Sequence, residues 1–237
     1  MSAASAFRDY VNSPALAPVT IVETDGRAIV FDFSTGSTLG GEAVVAMDTA
    51  RMSAAIDTAL EEAGTAFGFG RYAEPRELYR NELFLADDSI ERRTVHMGID
   101  LFCAAGTPVH APLDGVVEIV MNNAQELDYG PLIVLRHGGH AEGNSFFTLY
   151  GHLTLDTLDH LQAGQTVSAG QQVARVGAPP DNGNWPPHLH FQLIRDLLDL
   201  GADFPGVTAP GEQEYWLELS PSPARFFPEH DPADLEY

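Results

Sequence analysis

In Thr94-Val-His-Met-Gly-Ile-Asp-Leu-Phe102, apolar residues surround His96, Gly98 and Asp100 in a pattern that predicts one β-strand. With a period of two, those three residues share one face of it. Beyond Phe102, short apolar runs recur between Gly, Pro and Asp turns. They predict further strands at 108–111, 115–121, 131–137, 145–151, 172–177 and 188–195. A short helix is expected from Leu155 to Leu161. The fold class is therefore mainly β, an antiparallel β-sandwich or barrel.

Towards the N-terminus the pattern is mixed. Val19-Thr-Ile-Val22 and Ala28-Ile-Val-Phe31 flank Asp25-Gly26 and predict a hairpin over 19–34. Asp48 can cap a helix running to about Ala63, with Met52, Ile56 and Leu60 on one face and Gly64 as its stop. Residues 67–93 mix aromatics, Arg and Glu around Pro75 and read as a covering segment without regular structure. The expected organisation is a small mixed α/β accessory region over 1–80, a main domain over 81–228 and an acidic tail over 229–237.

Composition narrows the function classes. A chain of 237 residues, 44% of them hydrophobic, is long enough to bury a sizeable core. No run approaches the ~18 apolar residues of a membrane span. Met1 to Val11 carries Arg8 and Asp9 and no apolar export core, so a cytoplasmic location is expected. The single Cys, Cys103, excludes an internal disulfide. It lies on the opposite parity from Asp100 and reads as a small buried hydrophobe. A net charge of −22 argues against nucleic acid and anionic membrane as partners. All 12 basic residues are Arg, which excludes Lys Schiff-base chemistry and biotin or lipoate attachment and argues against Walker-type phosphate binding.

Chemistry-bearing residues concentrate in two places. His96-x-x-x-Asp100 is accompanied by the same spacing at His110/Asp114, His152/Asp156 and His230/Asp234. Asp114 lies in a Pro-Leu-Asp-Gly turn, where backbone bonds explain its carboxylate. His230 and Asp234 belong to the acidic tail, and His152 leaves a strand-like run for a polar turn. Only His96 and Asp100 run straight through one strand, with Gly98 between them leaving room for an ion. Further along, Pro187-His188-Leu189-His190-Phe191 puts two more imidazoles on one strand face. Two imidazoles and a carboxylate make a tetrahedral zinc site with an open corner. A further His beside that corner can take protons, which points to hydrolysis by metal-activated water.

His96-x-x-x-Asp100, Leu149-Tyr150-Gly151-His152-Leu153, Gly164-x-x-Val167-x-x-Gly170-Gln171 and Pro187-His188-Leu189-His190-Phe191 come in that order within residues 88–228. Together they resemble the lysostaphin-type (M23, LytM-like) zinc metallopeptidases. Asn184-Trp185-Pro186-Pro187 is more similar to lysostaphin-like domains fused to a kinase-like domain and a class III aminotransferase. The resemblance implies a lysostaphin-like (duplicated hybrid motif) β fold. It implies one Zn2+ held by His96, Asp100 and His190, with His152 and His188 as catalytic histidines. It also implies a peptide or small amide as substrate, a peptidoglycan cross-link peptide among them. In that scheme His188 is the general base and His152 holds the water or the oxyanion. Two departures stand out: no export signal is visible, and Gln192 stands where the family often has Glu.

Other residues carry weaker signals. Tyr129 and Trp185, in Gly-, Pro- and Asn-rich segments, are candidates to wall the groove and bind substrate. His110, His137, His140 and His160 lie at strand ends or in polar loops and read as structural. A second reading of the chain is a zinc-bearing regulatory or docking module. Residues 67–93 would then fill the groove, with Asp87, Asp88 or Asn81 on the fourth corner. A third, a cupin-like oxygenase, needs a Glu soon after the His pair, and Phe191 to Arg195 offers none.

Overall fold

The computed structural model describes residues 3–13, 16–79, 81–85, 91–138 and 145–237. Helix α1 spans Ala3–Val11 and α2 spans Thr49–Ala63, while α3 (Thr157–His160) and α4 (Gln213–Leu219) are shorter. The first strands are β1 (Ile29–Val30), β2 (Thr38–Leu39), β3 (Glu42–Ala43) and β4 (Gly68–Gly70). Then come β5 (Val95–His96), β6 (Ile99–Phe102), β7 (Pro108–His110), β8 (Gly115–Asn123), β9 (Gly130–His137) and β10 (Phe146–Gly151). After α3 follow β11 (Thr166–Val167), β12 (Gln172–Arg175), β13 (His188–Ile194) and β14 (Val207–Thr208). No helix among the described residues is long and apolar enough to cross a membrane.

One sheet of eight strands, in the order β1-β4-β6-β13-β10-β9-β8-β11, organises the molecule. It is antiparallel except where β1 meets β4, and its ends do not meet to close a barrel. Alternation along the central strands sorts side chains to the two faces. On β9, Ile133 and Leu135 join one apolar cluster while Leu132 and Val134 join another. The separate β7/β12 pair covers the first face, with Val109 and Val173 in the same cluster as Leu189, Phe191 and Leu193 of β13. By the same period His188, His190 and Gln192 face the other side, in line with Ile194. The site is therefore built on the sheet face that β7/β12 does not cover.

The expected helix forms as α2. Asp48 accepts a bond from the Arg51 amide, Met52, Ile56 and Leu60 are buried, and Gly64 stops the helix in a left-handed conformation. Around it, Phe31, Phe33 and Phe102 complete a third apolar cluster.

Four local expectations are corrected. The hairpin over 19–34 does not form. The Val19 amide instead donates to Pro112 O, Ile21 O accepts from the His110 amide, and β1 pairs in parallel with β4. Ile21 and Val22 are buried in the core, and this burial outweighs the turn signal at Asp25-Gly26, where the Asp25 carboxylate is taken up by Arg27. Residues 67–93 are not without regular structure, because β4 lies between β1 and β6. Its glycines hide it from the sequence: a Cβ at Gly68 or Gly70 would strike Phe31 or Arg76. The strand 94–102 is broken at Met97–Gly98, so that β5 pairs with β14 while β6 pairs with β13 and β4. The acidic tail is docked rather than loose. Leu235 is fully buried, the Tyr72 amide donates to Leu235 O, and the Tyr237 amide donates to Tyr72 O.

Candidate metal centre

Strand pairing brings the ligand-type residues together. In the β13/β6 register His190 stands opposite Asp100, and β5 delivers His96 beside them. His96 Nε2 lies 3.0 Å from His190 Nδ1 and 3.1 Å from Asp100 Oδ1, and His190 Nδ1 lies 3.0 Å from Asp100 Oδ1. The three residues form a group able to hold a metal ion. Gly98 makes the approach possible, since a Cβ there would sit 2.6 Å from the His190 ring. The gap that the sequence suggests for an ion thus accommodates the imidazole itself.

Backbone and amide acceptors fix each tautomer. His96 Nδ1–H donates to Arg71 O at 2.9 Å, which leaves Nε2 with a lone pair. His190 Nε2–H donates to Gln192 Oε1 at 3.0 Å, which leaves Nδ1 with one. Two imidazole lone pairs and a carboxylate oxygen therefore converge, with no proton to share among them. Such a set is repulsive on its own and favourable around a cation. Donors 2.0–2.1 Å from a tetrahedral zinc ion are separated by about 3.3 Å, close to the spacing here. The donor set fits zinc, with His96, Asp100 and His190 as the residues that would hold it.

Two further imidazoles border the triad. His188 Nδ1–H donates to Pro186 O at 2.7 Å and His152 Nδ1–H to Asn182 O at 2.9 Å, so both Nε2 atoms are unspent. The rings are 4.3 Å apart, and His188 Nε2 lies 3.8 Å from Asp100 Oδ1. Burial lowers the pKa of His188 and, helped by the neighbouring His188, takes His152 well below the ordinary value. Burial and the Arg76 cation lower His96 to about 4. Burial works against the charge of Asp100, but the facing His96 and Arg76 outweigh it and hold the carboxyl well below its usual range.

Behind the triad stands a set of groups that the sequence reading does not single out. Arg76 Nη1 donates to Asp100 Oδ2 at 2.6 Å, and its Nε donates to Glu74 Oε2 at 2.8 Å. Glu74 in turn receives Arg71 through Oε1. Their only sequence signal is a Glu and an Arg two residues apart around Pro75, inside a stretch that reads as a cover. Gln192 does more than replace an acidic group. While accepting from His190, it donates to Ser220 Oγ and Pro205 O, which ties the ligand to the chain after β13.

A cavity of about 360 Å3 opens over the site, with Tyr79, Phe84, Leu127 and Trp185 among its walls. Tyr129 lines it with its ring, since its hydroxyl donates to Phe204 O at 3.1 Å. Trp185 lies edge-on to His152 and His188. Asn81 does not line the cavity; its amide donates to Glu126 O. Asp87, Asp88 and His140 fall outside the described residues. Cys103 is buried in the core on the opposite face. His110 bonds to Ile21 O, and the exposed His160 lies 3.8 Å from Asp156, both away from the cavity.

Residues 94–199 match the model of peptidase family M23. An uncharacterized metalloprotease of Haemophilus influenzae is 37% identical over 117 residues, 48% of this chain and 22% of that protein. The peptidoglycan DD-endopeptidase ShyA of Vibrio cholerae is 35% identical over 128 residues, 52% of this chain and 26% of its own length. The chain thus spans about a quarter of the length of these curated relatives. Among solved structures, the catalytic domain of lysostaphin from Staphylococcus simulans aligns at 22% identity with a TM-score of 0.35, over 52% of this chain and 80% of that one.

Proposed function

We propose that this chain is a zinc-dependent metallohydrolase, an endopeptidase of lysostaphin type that cleaves a peptide or amide bond. One observation carries the reading: three ligand atoms meet within 3.1 Å beside two imidazoles that keep Nε2 unspent. Zinc held there would polarise a scissile carbonyl and lower the pKa of a water molecule to about 7.

The protein's own groups then divide the proton work. His188, neutral because it is buried, takes the proton of the attacking water at Nε2 and passes it to the leaving amine. His152 presents Nε2 to the same space. Its other nitrogen is committed to Asn182 O, so a neutral His152 accepts and orients water. It donates to an oxyanion only when protonated. The Tyr129 ring and Trp185 flank the space that substrate would enter. The endopeptidase relative supports a peptide substrate, and a peptidoglycan cross-link peptide is the class we favour.

Bound zinc, and hydrolysis of muropeptides, glycyl peptides and small amides with and without chelator, test the reading. One zinc per chain and chelator-sensitive cleavage are the expected results. Zinc without turnover on any of these substrates would replace the hydrolase with a zinc-bearing docking module. That alternative draws support from the low exposure of His152 and His188, 6% and 4%.

A further inference from the structure

We propose that Arg76 is a positioning residue of the metal centre. By engaging Oδ2 of Asp100, it leaves Oδ1 as the one oxygen free to ligate and so preserves the open corner. The inference rests on the metal-site reading above.

The guanidinium is held from several directions. Nη1 donates to Asp100 Oδ2 at 2.6 Å and to Tyr79 Oη at 3.4 Å, Nε donates to Glu74 Oε2 at 2.8 Å, and Nη2 donates to Arg71 O at 3.3 Å. The Arg76 and Asp100 side chains are 3% and 4% exposed, and that of Glu74 is fully buried. Charges alternate outward from the ligand through Arg76, Glu74 and Arg71 to Asp32, whose side chain is 63% exposed. Burying such a series is costly, and well-packed apolar residues would serve stability as well. Its geometry serves the ligands instead. The carbonyl of Arg71 that receives Nη2 of Arg76 also accepts Nδ1–H of His96, so one turn aims two of the three ligands.

A carboxylate beside a divalent cation can chelate it with both oxygens. A charge-assisted bond as short as 2.6 Å on Oδ2 opposes that second contact and keeps the vertex for solvent. Gly70 makes the arrangement possible. It is the β4 partner of Asp100, and a Cβ there would lie 2.6 Å from Arg76 Nη2. Gly70, Arg71, Glu74 and Arg76 all precede residues 94–199, so this support comes from outside the stretch that matches the family.

The test compares wild type with Arg76→Met, Arg76→Lys and Gly70→Ala. Zinc affinity is read by competition with a chromophoric chelator, and coordination by the visible spectrum of the Co2+-substituted protein. Wild type should give the intense bands of four-coordinate Co2+. Arg76→Met should bind zinc about 10–100-fold more weakly and show the faint bands of higher coordination. Gly70→Ala keeps every charge but displaces the guanidinium, so a smaller shift in the same direction is expected, and Arg76→Lys should restore part of the loss. Should Arg76→Met fail to fold by circular dichroism, Gly70→Ala and Arg76→Lys carry the same readouts. Folded variants with wild-type affinity and spectrum would overturn the role of Arg76 alone. A wild type that binds no metal would overturn the metal site with it.

Discussion

His137 and His190 are both buried strand histidines, yet they do opposite things. His137 faces the core side of the sheet with Ile133 and Leu135, and it spends both nitrogens on the protein. Nδ1–H donates to Asp114 O at 2.9 Å, and Nε2 lies 2.7 Å from the Thr148 hydroxyl. His190 spends one nitrogen on Gln192 and turns the other towards Asp100 and His96, which are acceptors like itself. Acidity does not separate the two kinds of site, because burial lowers both His137 and His96 to about 4. The unspent nitrogen does. His96, His152 and His188 keep one as well, and all face the same cavity.

The comparison breaks most sharply at its two poles. His190→Ala should lose zinc and hydrolysis together, measured by elemental analysis and turnover. His137→Ala should keep zinc while losing about 1–3 kcal/mol of stability from its orphaned partners. A folded His137→Ala protein without zinc would erase the distinction. Next, His188→Gln should retain zinc and lower kcat by about 10²–10⁴-fold, the usual worth of a general base; full activity would remove His188 from the chemistry. Gln192→Leu takes away the acceptor that fixes the His190 tautomer and should weaken zinc binding about 10–100-fold in a chelator competition.

The smallest effect concerns pH. The folded pKa of His137 lies at about 4, below its ordinary value of 6.5. In that window the unfolded chain binds the proton more readily, so stability rises with pH. The contribution of neutral His137 is full above 6.5 and is lost as pH falls towards 4. Melting temperatures of the metal-free protein should therefore fall less steeply across that window in His137→Gln than in wild type. Parallel curves would show that His137 is not the group responsible.

The central strands are legible in the sequence because both their faces are buried. Gly130–His137 reads as a nearly unbroken apolar run and His188–Ile194 as apolar residues alternating with His188, His190 and Gln192, and their observed bounds differ from the expected ones by a single residue. The edge of the sheet is not legible. β1 has two residues and β4 three, two of them glycine, and their pairing is settled by contacts with Phe31 and Arg76 rather than by a local pattern. The site divides in the same way. His96, Asp100, His152, His188 and His190 announce themselves because the metal and proton chemistry proposed for them restricts the side chains that could perform it. Arg76 does not, since its meaning lies in a contact 24 residues away through a gap left by a glycine. Gln192 is visible only as a departure, and its bonds to Ser220 and Pro205 depend on how the chain returns after β13.

His152 leaves β10 with φ 64, the left-handed region, and its backbone is pinned there by bonds to Tyr129 O and from the Gly177 amide. Residues other than glycine hold that conformation at a cost of about 1–3 kcal/mol, with Asn among the most tolerant. The replacement chosen at 152 therefore decides what an experiment reports. Asparagine would keep the path of the main chain and isolate the missing ring, whereas valine or isoleucine would also unseat the bend that carries it.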